Sequence, residues 1–120
     1  MKKQPKFFLE HIIFECEQIV KYTQGKSLVS VENDYLLFSG ICRMLTVIGE
    51  AVAKIPDDIQ QRHPAVPWRN MKAMRNVLVH QYYDLDYDLI WNVATKEVPD
   101  LLPKLKNTLS QELTQENHPK

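Results

Sequence analysis

The strongest constraint on the fold of this 120-residue chain is the spacing of its apolar side chains. Between about residues 34 and 55, Leu37, Ile41, Met44, Leu45, Ile48, Val52 and Ile55 recur three and four positions apart. Ser39, Arg43, Thr46, Glu50 and Lys54 repeat on another side of the same segment. That period describes a helix with one apolar face. A second such segment covers about 6 to 23, with Leu9, Ile12, Ile13, Cys16, Ile19 and Val20 inward and Glu10, Glu17, Gln18 and Lys21 outward. Gly25 follows it, as a glycine past the last turn commonly does. No stretch alternates apolar and polar residues long enough for a strand. The fold class that follows is all-α, a bundle of four or five helices.

Punctuation sets the rest. After the linker KSLVSVEND, Asn33 or Asp34 is placed to cap the second helix, and Pro56 closes it. DDIQQRH can add one short turn, and HPAVPWRN reads as a loop ending at a helix start. Pro67 suits the first position of a third helix that runs to about His80. Met71, Met74 and Leu78 are its core side, with Arg69, Lys72 and Asn76 nearer solvent. QYYDLD breaks the pattern, and Asp86 caps a fourth helix through Ile90, Trp91 and Val93. Pro99 and Pro103 are expected to kink or restart it, so that PDLLPKLKNTL is a fifth segment or the fourth one bent. One domain over 1–120 is expected, ordered from about 6 to 110, with 111–120 a frayed tail.

Fifteen basic and fifteen acidic residues cancel, so the chain lacks the broad positive field of a non-specific nucleic-acid binder. Any such role must rest on a local cluster. Cys16 and Cys42 have no metal-ligand spacing and read as buried, reduced thiols. Glu10, His11, Glu15 and Glu17 interrupt the apolar start, so no signal peptide is expected there. No run is read as the ~20 apolar residues of a membrane span, so a soluble, cytoplasmic protein without a membrane partner is expected. The three glycines are isolated, and there is no phosphate-cradling loop, no GxSxG elbow and no paired-histidine metal motif. No cofactor and no metal site are expected.

The chemistry concentrates in MRNVLVHQYYDLDYD, residues 74–88. Imidazole takes or gives a proton near neutral pH, and His80 closes the third helix. Arg75 offers a planar fork of donors suited to a phosphate. Five residues separate them, about 140° around an ideal helix, so they share a face only if the last turn unwinds. Asn76, four residues before His80, is its same-face neighbour. Such a set suffices for cleaving RNA without a metal: a base on the ribose 2′-OH, and Arg against the charge gathering on phosphorus. The structural alternative is that Arg75 and His80 only cap the helix carbonyls while Tyr82 and Tyr83 pack as amphipathic plugs. Asp86 is explained by capping, and Asp84 and Asp88 by solvation. Arg43 and Glu50, on one side of the second helix, are read as partners in ion pairs between helices or protomers, in preference to a catalytic role.

The wider context adds a resemblance. Arg75-x4-His80-x-Tyr82 resembles the motif of HepT-like members of the HEPN superfamily. The blocks IGEAVAKIP (48–56), HPAVPWRNM (63–71), MRNVLVHQYYDLD (74–86) and LIWNVATKEVPDLLPKL (89–105) look like that family's signatures in order, over about 6–110. The resemblance implies a homodimeric helical bundle with both motif copies facing one cleft. It implies a metal-independent ribonuclease toxin acting on RNA, with Arg75 and His80 catalytic and Asn76 supporting. It also implies neutralisation by an MntA-like nucleotidyltransferase antitoxin that attaches AMP to Tyr82; Tyr83 beside it, where phenylalanine is common, is a second phenol. The competing expectation is a non-catalytic helical module that binds a nucleotidyltransferase or its substrate.

Overall fold

A computed structural model describes residues 3–81 and 83–117, the side chains of 116 and 117 excepted. Four long helices carry the fold: α1 (Pro5–Thr23), α3 (Tyr35–Val52), α5 (Trp68–His80) and α7 (Val98–Asn117). The short helices α2 (Leu28–Glu32), α4 (Asp57–Arg62) and α6 (Tyr87–Asn92) lie between them, and a π-helical turn, Val93–Glu97, joins α6 to α7. No strand occurs among the described residues, so the bundle is all-α as its apolar spacing requires.

The central helix is α3, packed on α1 and on α5, while α1 also packs on α7. Leu9, Ile12, Cys16 and Ile19 of α1 are wholly buried, facing Ile41, Leu45, Ile48 and Val52 of α3 across the core. Ile90, Ala94 and Leu105 complete it. Each such Leu or Ile contributes roughly 1.5–3 kcal/mol by leaving water. By length and composition α3 could cross a membrane, with a mean hydropathy of 1.5 over 18 residues. That corrects the expectation that no segment would. Its apolar side is instead spent on the core, through Phe38, Ile41, Leu45, Ile48, Ala51 and Val52.

The caps behave as their chemistry dictates. Asp34 accepts from the Leu37 amide at 3.0 Å and starts α3. Asp86 accepts from the Leu89 amide at 3.1 Å and starts α6. Gly25 takes φ +73°, the left-handed conformation that turns the chain after α1. Pro67 precedes the first residue of α5 rather than occupying it.

Three features depart from the sequence reading. The linker after Gly25 folds into α2, because Ser27 and Ser30 cap one another reciprocally at 3.2 and 3.0 Å. The bend expected at Pro99 is a widened turn directly before it: the Val98 amide reaches back to the Val93 carbonyl. Pro103 is accommodated inside α7. Of the expected tail 111–120, 118–120 lie outside the described residues, while residues through Asn117 are helical and Glu112 is pinned from outside the helix. Its Oε1 accepts from Arg62 Nη2 at 2.7 Å, and its Oε2 lies 2.6 Å from His63 Nε2.

Candidate functional site

The motif-bearing helix α5 is held by its inward residues, Trp68, Met71 and Leu78, all buried. Its start is fixed by the α4–α5 loop. Trp68 Nε1 donates to the His63 carbonyl at 3.0 Å, and the His63 ring rests on Glu112 of α7. The Arg62 hydrogen bond, with a further contribution from His63, holds the Glu112 carboxyl below its ordinary pKa against the opposing effect of burial.

Where α5 crosses α3, the contact is backbone-close. Gly49 is buried under Arg75, and a methyl group there would land on the Arg75 Cβ and sit 3.0 Å from the Met71 carbonyl oxygen. Only a residue without a side chain allows this approach. Arg75 therefore lies along α3, its side chain 24% exposed, and Nη1 donates to Glu50 Oε1 at 2.9 Å. Arg75 Nε is buried and has no hydrogen-bond partner among the described residues. Glu50 is half-exposed. The guanidinium is thus tethered by one corner, with donors left for a ligand.

His80 and Asn76 are exposed on the outer side of α5. The helix does not unwind before His80, since the Gln81 amide still bonds to the Val77 carbonyl at 2.9 Å. The unwinding expected at HQYYD begins only after the imidazole. Arg75 and His80 consequently stand about 140° apart around one helix. The structure brings Arg75 to Glu50 and leaves His80 beside Asn76. Tyr82 lies outside the described residues, and Tyr83 is exposed rather than plugged into the bundle.

Glu50 makes the expected ion pair between helices, with Arg75 of α5. Arg43 has no hydrogen bond or ion pair among the described residues. Gly49 was overlooked by sequence reasoning; the available signal was a lone glycine interrupting a dense apolar helix. Both thiols are free; Cys16 is buried as expected, whereas Cys42 is only half-buried, and burial chiefly pushes Cys16 up to about 12 and Cys42 to about 11.

Arg75, Asn76 and His80, with Gly49 and Glu50 beneath, all fall inside residues 12–108, which match the family described as "Ribonuclease HepT-like". The chain belongs to the HepT-like family. Among curated relatives, "Putative RNase TTE0752" of Caldanaerobacter subterraneus subsp. tengcongensis is 36% identical over 110 residues, spanning 92% of this chain and 98% of that protein. "Putative RNase MJ0125" of Methanocaldococcus jannaschii is 35% identical over 100 residues, spanning 83% and 86%. "Probable ribonuclease HepT" of Thermococcus cleftensis is 33% identical over 106 residues, spanning 88% and 96%. No solved structure matches.

Proposed function

We propose that this HepT-like chain is a cytoplasmic, metal-independent endoribonuclease toxin that works as a homodimer. The observation that carries this reading is the tethered guanidinium of Arg75, which ends in donors unspent on the protein, five residues from an exposed histidine on the same helix. A base takes the proton of a ribose 2′-OH, and O2′ attacks the adjoining phosphorus. The bond to the 5′-oxygen breaks, and that oxygen leaves with a proton from an acid, giving a 2′,3′-cyclic phosphate and a 5′-hydroxyl. His80 supplies the imidazole chemistry, Arg75 faces the charge growing on the phosphoryl oxygens, and Asn76 steadies the imidazole or the substrate.

The 140° separation supports a site shared by two copies. A two-fold axis near the end of α5 would set one chain's His80 opposite the other's Arg75 and would supply two imidazoles, one as base and one as acid. Val79, apolar and 44% exposed beside His80, suits such a contact. It would also create the local positive field that zero net charge withholds.

Silencing belongs to the same reading. AMP attached by a nucleotidyltransferase antitoxin to Tyr82, two residues along the sequence from His80, would add a phosphate charge and bulk that compete with an RNA phosphate. The experiment is RNA cleavage in EDTA by the wild type and by His80→Ala. Activity that survives chelation and disappears in the variant supports the enzyme. Equal inactivity of both supports the non-catalytic module that binds a nucleotidyltransferase or its substrate.

A further inference from the structure

Beside the candidate site lies a groove that the proposed chemistry leaves unused. It is a cavity of about 480 Å³ between the N-terminal half of α3, the end of α5 and residues 83–87, walled by Tyr35, Phe38, Arg43, Tyr83, Asp84 and Tyr87. Its back is an aromatic pair: the Phe38 and Tyr87 rings lie 4.3 Å apart at 34°. Phe38 is buried, whereas Tyr87 is 40% and Tyr35 82% exposed, so phenol faces are presented to solvent. Such faces are the platform on which unstacked bases settle. Arg43, exposed on the same wall, has no acidic partner among the described residues, so its charge is available to a phosphate.

Size and charge narrow the occupant. Ligand sites for small molecules and nucleotides fill roughly 300–1,000 Å³, which this groove meets. A second cavity, between α3, α5 and α7, holds about 130 Å³ and is lined mostly by apolar groups such as Leu45, Met71 and Leu101. A protein partner covering the groove would bury Asp84, and aspartate is depleted in interface cores. A nucleic-acid strand uses the cation and leaves the acid wet. The groove wall neighbours the motif: Leu78 lies three residues after Arg75, one turn along the same side of α5, and Tyr83 follows the end of that helix.

We infer that this groove is a base-binding subsite for single-stranded RNA, taking one nucleobase against Tyr35 and Tyr87 and the neighbouring phosphate against Arg43. That the strand continues to His80 rests on the ribonuclease reading; the groove's affinity for a base does not.

The test uses the full chain carrying His80→Ala, so that RNA is bound without being cut, and a short single-stranded RNA containing 2-aminopurine. Stacking quenches the probe on binding. Adding Tyr35→Ala is expected to abolish the quench and weaken binding about five-fold or more, and Arg43→Gln to weaken it comparably. Both side chains are exposed, so circular dichroism should stay unchanged. Unaltered quench and affinity in both variants would overturn the subsite. So would a change from dimer to monomer with RNA affinity intact, which would make the groove a contact between copies. Cleavage by the otherwise unmodified chain with groove variants that bind normally removes the subsite alone. Groove-dependent binding without cleavage removes the ribonuclease reading alone.

Discussion

Arg75 lies on Gly49, and no other residue type at 49 leaves room for the arginine's first two carbons. The position of the proposed catalytic cation is therefore set by the absence of a side chain on a different helix. Gly49→Ala is expected to push α5 off α3. Overpacking of this kind costs about 1–3 kcal/mol, which the ~1 kcal/mol gained from alanine's helix propensity offsets only in part. Urea denaturation should show a net loss, and RNA cleavage should fall further than stability does.

Glu50 carries the opposite signature. Its carboxylate is half-exposed, so the pair with Arg75 adds at most about 1 kcal/mol to folding. Glu50→Gln should leave the denaturation midpoint nearly unchanged. With Arg75 no longer tethered, kcat should drop about ten-fold or more, since small misplacements of a catalytic group are costly. An unchanged kcat would show that the tether is irrelevant to the chemistry.

His80 is exposed and has no side-chain hydrogen bond or ion pair among the described residues, so His80→Ala should shift stability by less than about 0.5 kcal/mol. Loss of a general acid or base typically lowers rates by about 10²–10⁴-fold. Arg75→Lys is expected to fail as well, because a lysine cannot both reach Glu50 and present a planar fork to phosphate. Cleavage assays alongside thermal melts separate these effects.

Glu112 makes stability depend on acid. Its folded carboxyl sits below the ordinary value of 4.5, so the unfolded chain takes up the proton more readily. The contribution is complete above about pH 4.5 and is lost as pH falls through the lower folded value. Glu112→Gln should cost about 1–2 kcal/mol at neutral pH, the scale of a charge-assisted hydrogen bond. It should also flatten the decline of stability in acid, measured by denaturant titrations between pH 3 and 7 (roughly the carboxylate range).

What could be read in advance was whatever is local. Periodicity gave α1, α3 and α5, and the side chains of Asp34 and Asp86 marked helix starts, because a cap acts within three residues. The short helix at Ser27 was legible only through a serine pair that resembles ordinary linker composition. Contacts far apart in sequence were not legible. Glu50 and Arg75 are 25 positions apart and His63 and Glu112 are 49 apart, so neither pair has a spacing rule. The fork between capping and catalysis at Arg75 closes in part: its partner is a carboxylate on α3, not the end of its own helix.

The π-helical turn at Val93–Glu97 reaches well beyond the proline it accommodates. Such a turn holds one surplus residue and rotates everything downstream by about 100°. Val98, Leu101, Leu105 and Thr108 face inward only with that offset, and Glu112 follows on the same side. Deleting a single residue from the turn would spin the last helix like a dial, swinging Glu112 away from His63. The loop that seats the start of α5 would lose its clamp, although every residue it touches remained in place.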